Sequence, residues 1–214
     1  MSRMYRKGNL MNIDDFENNF FKKQNSHTDY IIECENGFKL PSKRLFELKS
    51  HGDMSCLEIG LNWLSQAQKR GITVFVDCEF NCPPETMKKH NIDLSELLYV
   101  PAGDPDDFYN MMNKLLGYKE LRLIVLSTAQ LLFPLIYDMK EFTEKIYLLK
   151  DFVQQSNASV IILNPYYTLS CDIFNKIFFD SLGCRYKTRG EKASKIEVFS
   201  QKSRFLFEIN HNHI

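Results

Sequence analysis

The sequence predicts an α/β fold: a doubly wound, mostly parallel sheet with helices on both faces, followed by a C-terminal antiparallel extension. Three observations predict it. Ile72–Val76, Leu121–Leu126 and Ser159–Leu163 are short aliphatic runs without polar alternation, the pattern of strands buried on both faces. The segments between them repeat apolar residues at helical spacing, so strand and helix alternate. Beyond Cys184 this alternation stops. Cys184–Thr188, Lys195–Ser200 and Arg204–Ile209 follow one another across short turns, as in an antiparallel meander.

Taken in order, Tyr30–Cys34 and Arg44–Leu48 are apolar enough for strands. Ile59, Trp63 and Ala67 fall on one helix face, and Gly71 follows as a stop signal. Ile72–Val76 is the next strand. Pro84–His90 suits a short helix with proline near its start. Leu97–Val100 is a strand. Asp104, Asp106 and Asp107 open a helix running to Leu116, acids where the helix dipole favours them. Phe142, Ile146, Leu149 and Phe152 set a helix over 141–155. Residues 1–37 are polar and Asn/Lys-rich, a tail or docking segment with an aromatic knot at Phe16, Phe20 and Phe21; residues 38–214 form the core domain.

Composition bounds the function. Lys plus Arg equals Asp plus Glu at 27 each among 214 residues, which excludes a grossly basic nucleic-acid coat but not a local patch. Six cysteines occur without a CxxC pair, so neither a zinc knuckle nor any other metal or cofactor site is expected. The first residues carry no apolar secretory core, and the run at Leu131–Tyr137 is broken by Pro134. An intracellular, reducing location with no membrane span is the expectation.

In such a sheet a ligand belongs at the carboxyl ends of the strands. The turn from Lys49 to Glu58 occupies the place of a phosphate-binding loop, yet supplies only Gly52 and no lysine or threonine at the helix start. Asp77 and Glu79 lie two apart just past a strand. They are either two carboxylates on one face, suited to general-base work, or a solvated strand end. Leu126-Ser127-Thr128 ends the next central strand, where a nucleotide hydrolase would carry a magnesium ligand.

At these residues the chain resembles the RecA-type recombinase superfamily. Leu40–Ile59 resembles the run into the family's phosphate loop. Gln66–Gly71, Val74–Phe80 and Asn91–Val100 look like the following core stretches. Leu123–Leu131 resembles the magnesium-aspartate strand, and Ser159–Pro165 the strand ending in an Asn-Gln pair. Arg185–Phe199 with Phe205–Ile209 is similar to the terminal strands of eukaryotic and archaeal homologues. The resemblance implies a RecA-like core with a degenerate nucleotide site at Gly52, Ser55, Cys56, Leu57, Glu79 and Leu126. Cys56 stands at the phosphate lysine, Leu57 at the Ser/Thr, Leu126 at the magnesium aspartate and Pro165 at the glutamine that follows Asn164; only Glu79, at the water-activating glutamate, is kept. Without those groups the charge developed in phosphoryl transfer has no stabiliser, so no ATP hydrolysis is expected.

The resemblance therefore implies a non-catalytic, nuclear recombinase paralogue. It would pair with another paralogue and the main recombinase, and assist on single-stranded DNA in homologous recombination and repair. The alternatives are a residual ATP-binding or ATPase subunit, and a bacterial RecA-like damage-response regulator. Residues 183–205 hold seven basic against two acidic residues, and residues 77–107 eight acidic against two basic. A DNA patch would comprise Lys43, Arg44, Arg185, Lys187, Arg189, Lys192 and Lys195, with Tyr166 and Tyr167 to stack on bases. The same charges also suit a solvated sheet edge. Phe16, Phe20 and Phe21 are the expected partner-docking residues.

Overall fold

The structure, a computed structural model, describes residues 4–6, 9–11, 30–33, 39–49, 53–80, 82–102, 105–128, 139–164, 184–189, 195–200 and 203–208, with side chains described over 30–32, 40–48, 56–80, 82–102, 109–128 and 144–164. Its elements in chain order are β1 (Met4–Arg6), β2 (Asn9–Met11), β3 (Tyr30–Glu33), β4 (Lys39–Pro41), β5 (Leu45–Lys49), α1 (Asp53–Gln68), β6 (Ile72–Asp77), α2 (Pro84–Lys89), β7 (Leu97–Pro101), α3 (Pro105–Leu115), β8 (Leu121–Leu126), α4 (Met139–Gln155), β9 (Ser159–Asn164), β10 (Cys184–Arg189), β11 (Lys195–Ser200) and β12 (Ser203–Glu208).

The main sheet runs β2-β1-β12-β11-β10-β5-β9-β8-β6-β7. Strands β5, β9, β8, β6 and β7 are mutually parallel, so the expected parallel α/β sheet is present. Strand β10 joins β5 in parallel, and β11, β12 and β1 add antiparallel ladders. The expected C-terminal extension therefore continues the sheet beyond β5, the outermost strand of the parallel block. The β3–β4 pair forms a separate two-stranded sheet.

Chirality places the helices. The chain steps one way along the sheet from β5 to β6 to β7, then back from β7 to β8 to β9. Crossovers between parallel strands are right-handed, so reversing the step moves the helix to the other face. Alternate strand residues record this. Phe46, Leu48, Phe75, Leu123, Val125, Ile161 and Leu163 pack with Ile59, Trp63, Leu64 and Ala67 of α1 and Met87 of α2. Leu45, Val74, Val76, Ile124, Leu126, Val160 and Ile162 pack with Met112 and Leu115 of α3 and with Ile146, Leu149, Phe152 and Val153 of α4.

Two local features fix the stacking. A bulge at Arg122 shifts the β6–β8 register between Ile72↔Leu121 and Thr73↔Leu123, which puts Leu121 and Leu123 in opposite cores. Gly71 turns the chain from α1 into β6 at φ 152°, where an added Cβ would lie 2.3 Å from the Glu120 carbonyl oxygen; only glycine fits there.

Several bounds differ from the sequence reading by one or two residues, at ends where capping bonds decide. The strands β1, β2 and β4 were not anticipated. They are three residues long, two of them in the segment read as a tail; β1 owes its place to a distant partner, Tyr5↔Leu206.

Candidate functional site

Strand β6 leads into α2 on one face, and its neighbour β8 leads towards α4 on the other. Adjacent strands whose following helices diverge leave a crevice outside their carboxyl ends. The residues there are Asp77, Cys78, Glu79 and Phe80 after β6, and Ser127 and Thr128 after β8.

Asp77 ends β6 and is fully buried. Its Oδ2 accepts the Cys82 N–H at 3.1 Å and the Tyr99 hydroxyl at 2.9 Å. Tyr99 lies opposite Phe75 across the β6–β7 ladder, with ring centroids 6.4 Å apart. Burial, then the bond to Asp77 and its charge, pushes the Tyr99 phenol up to about 12. Ser127 donates its N–H to the Val76 carbonyl at 3.0 Å, and its Oγ accepts the Cys78 N–H at 2.9 Å. The Asp77 carbonyl accepts the Ala102 N–H at 3.2 Å. These bonds hold the loop after β6 at both ends.

Glu79 lies beyond the strand and is exposed. Neither of the two readings of this pair describes both residues: strand alternation stops at the buried Asp77, and the chain bends before the exposed Glu79. Asp77 is a loop-fixing acceptor, and Glu79 alone faces water. The nearby thiols are poor nucleophiles at neutral pH. Burial pushes Cys78 up to about 11, and burial with the Asp77 charge pushes Cys82 up to about 12.

Residues 50–52, between β5 and α1, lie outside the described residues, and Ser55, Cys56 and Leu57 sit within α1. Cys56 is 1% exposed and its Sγ donates to the Leu48 carbonyl at 3.0 Å, pinning the first turn of α1 to the end of β5. Leu57 packs half-buried on the same core. Leu126 belongs to the opposite core, beneath α4. Gly52 lies outside the described residues, as does the side chain of Ser55.

A second polar pair lies on the α4 face. Asn164 at the end of β9 donates to Glu47 of β5 at 2.7 Å, with both side chains buried. Arg185 is the β10 register partner of Glu47, and Lys187 that of Lys49. Strands β10 and β11 bring Arg189 opposite Lys195.

Of the residues anticipated as a DNA patch, the backbone places two groups towards opposite ends of β5. Lys43 and Arg44 precede β5, whereas Lys187, Arg189 and Lys195 lie towards its carboxyl end; β5 alone spans about 13 Å. Arg44 is half-buried, its N–H bonded to Ser159 Oγ at 2.9 Å, and burial lowers its pKa. Lys192, Tyr166, Tyr167, Phe16, Phe20 and Phe21 lie outside the described residues, as do the side chains of Arg185, Lys187, Arg189 and Lys195.

Sequence reasoning missed Phe80 and Tyr99. Phe80 has φ 55° and is 66% exposed; Tyr99 is 41% exposed. The available signal was an aromatic residue set directly between Glu79 and the Cys82-Pro83-Pro84 helix start. Among the described residues no group of three or more His, Cys, Asp or Glu is placed to hold a metal ion, and no helix is long and apolar enough to cross a membrane. No model of a known protein family matches the chain, and no curated protein matches it.

Proposed function

We propose that this chain is a catalytically silent RecA-like recombinase paralogue that pairs with another RecA-like subunit and assists the active recombinase on single-stranded DNA during homologous recombination. The observation that carries the reading is the fate of two positions at the carboxyl end of the sheet. Cys56 and Leu126, which stand where the resemblance calls for the phosphate lysine and the magnesium aspartate, are buried in opposite cores. Neither offers a charge to the crevice. Losing one such electrostatic group removes about 3–4 kcal/mol of transition-state stabilisation, so Glu79 by itself is no ATPase.

The parallel sheet with helices on both faces supports the architecture, and the segment resembling the phosphate-loop run leads from the central strand β5 into α1. The edge of the sheet supports pairing. Among the described residues strand β7 bonds to β6 alone, and it exposes Leu98 and Tyr99 at 42% and 41%; an apolar edge strand is a template for another chain. The basic residues gathered on β10 and β11 support the nucleic-acid part.

The test combines nucleotide turnover with association. The purified chain is expected to show no magnesium-dependent turnover above its own Glu79→Gln variant. It is expected to co-elute with a RecA-like subunit, and to lose that partner when Leu98 is changed to Lys. Turnover above the Glu79→Gln baseline overturns the silent reading; failure to bind any recombinase or paralogue overturns the pairing.

A further inference from the structure

The amino end of the sheet gathers positive charge that the crevice at the other end does not explain. Strands β5, β9, β8 and β6 lie side by side in that order and run parallel, so their first residues form a row about 14 Å long at the usual strand spacing. Lys43 leads into β5, Lys119 and Arg122 flank the start of β8, and Lys69 and Arg70 lead into β6. Hydrogen bonds join part of the row. Arg122 donates from Nε to the Arg70 carbonyl at 3.2 Å and from Nη1 to the Lys119 carbonyl at 3.3 Å. Asn157, just before β9, donates to the same Lys119 carbonyl at 3.2 Å.

This charge is not neutralised within the fold. Arg70 and Arg122 bond to carbonyl oxygens, which leave the guanidinium charge in place. Among the described residues no carboxylate pairs with Lys43, Lys69, Arg70, Lys119 or Arg122, and all but Arg122 are exposed. Glu120 is the acid within the row; Asp93 and Glu96 lie past its end, before β7. Asp93 Oδ1 accepts the Ser95 N–H at 2.9 Å and its hydroxyl at 2.6 Å. The surface is thus positive from β5 to β6 and turns negative at β7. Helix dipoles explain only part of it. Lys69 and Arg70 follow the end of α1, where cations are favoured, but Lys43 enters a strand and Arg122 lies within one.

Charge and an aromatic ring together define the occupant. A row of unpaired cations attracts a polyanion. Tyr118 immediately precedes Lys119 and is 51% exposed. Its turn is closed by its N–H on the Leu115 carbonyl at 3.0 Å and by the Leu121 N–H on its own carbonyl at 3.2 Å. An exposed ring among cations that track a phosphate backbone is the arrangement on which unpaired bases stack. An acidic peptide would use the cations but not the ring.

We infer that Lys43, Lys69, Arg70, Lys119 and Arg122, with Tyr118, form a binding surface for single-stranded nucleic acid, at the opposite end of the sheet from Lys187, Arg189 and Lys195. The inference rests on the proposed function only for the choice of DNA as the strand.

Anisotropy of fluorescein-labelled oligo(dT) with the intact chain, across a salt series, tests it. Lys43→Gln, Lys69→Gln and Lys119→Gln should keep the parent melting temperature, since these side chains are exposed and unpaired. Each should lower the slope of log affinity against log salt by about 0.7. Tyr118→Leu should weaken oligo(dT) about tenfold with the slope unchanged. Glu120→Gln should tighten it by removing the acid within the row. Failure to bind oligo(dT), or unchanged slopes in all three lysine variants, would overturn the surface. Tyr118→Leu binding as tightly as the parent chain, or polyglutamate binding as tightly as oligo(dT), would assign the row to an acidic protein and overturn it too. Loss of oligo(dT) only on Lys187→Glu and Arg189→Glu would place the strand at the other end of the sheet, overturning this surface and leaving the proposed function intact. Absence of any RecA-like partner would overturn the proposed function and leave this surface standing.

Discussion

At the amino end of the sheet, Ser159 Oγ accepts the Arg44 N–H and donates to the Pro41 carbonyl at 3.1 Å. Arg122 donates to the carbonyls of Arg70 and Lys119, and Arg70 to that of Tyr30. At the carboxyl end, Asp77 and Ser127 make bonds of the same kind. The first set ties strands and turns to one another. The second suspends a loop whose two central residues, Glu79 and Phe80, are exposed. Similar polar bonds thus fasten elements together at one end and hold out a loop at the other, which locates the candidate site independently of any resemblance.

The sharpest way to break that contrast is at Gly71. If the amino-end bonds are structural, Gly71→Ala should destabilise the chain by about 3 kcal/mol. The added methyl meets the Glu120 carbonyl, itself the acceptor of the Ile72 N–H at 2.9 Å, and overpacking and φ strain each cost about 1–3 kcal/mol. Urea unfolding measures it, and a loss under about 1 kcal/mol would show that the turn yields. Ligand binding at the carboxyl end, measured on the folded fraction, should be unchanged.

The next test separates two carboxylates two residues apart. Asp77→Ala strands the buried Cys82 N–H and removes the acceptor of the Tyr99 hydroxyl, for an expected loss of about 2–3 kcal/mol. Glu79→Ala should change stability by less than about 0.5 kcal/mol, because its side chain is exposed. Equal losses in the two variants, read from the same urea transitions, would erase the distinction between brace and presented surface.

This pair also marks where the sequence was legible and where it was not. Strands β6, β8 and β9 could be read directly, since burial on both faces demands unbroken aliphatic runs. The short β1, β2 and β4 could not, because a three-residue strand carries too little pattern and takes its identity from a remote partner such as Leu206. At the site, residue types at Cys56, Glu79 and Leu126 were legible, but their placement was not. Whether Asp77 and Glu79 share a face depends on where β6 ends. That end is set by Ser127, fifty residues downstream, through its bond to the Cys78 N–H.

The smallest expected effect asks which end senses pH near neutrality. Burial and charge push Cys78, Cys82 and Tyr99 up to about 11–12, so these three groups are silent there. His90, which caps α2 on the return towards β7, behaves otherwise. Its Nδ1–H donates to Asn62 Oδ1 at 2.7 Å, and burial lowers its pKa below 6.5, against a weaker upward pull from Glu58. Since the folded state then holds fewer protons than the unfolded one, stability is full above 6.5 and falls as pH drops through the lowered value. Melting temperatures from about pH 7.5 to about pH 5.5 should decline, less so in His90→Gln. In Asn62→Asp a carboxylate replaces the amide and raises the histidine pKa. The histidine contribution then changes sign: it is present below the unfolded pKa and lost as pH rises through the folded one. The same slope in the parent chain, His90→Gln and Asn62→Asp would remove the histidine from the account.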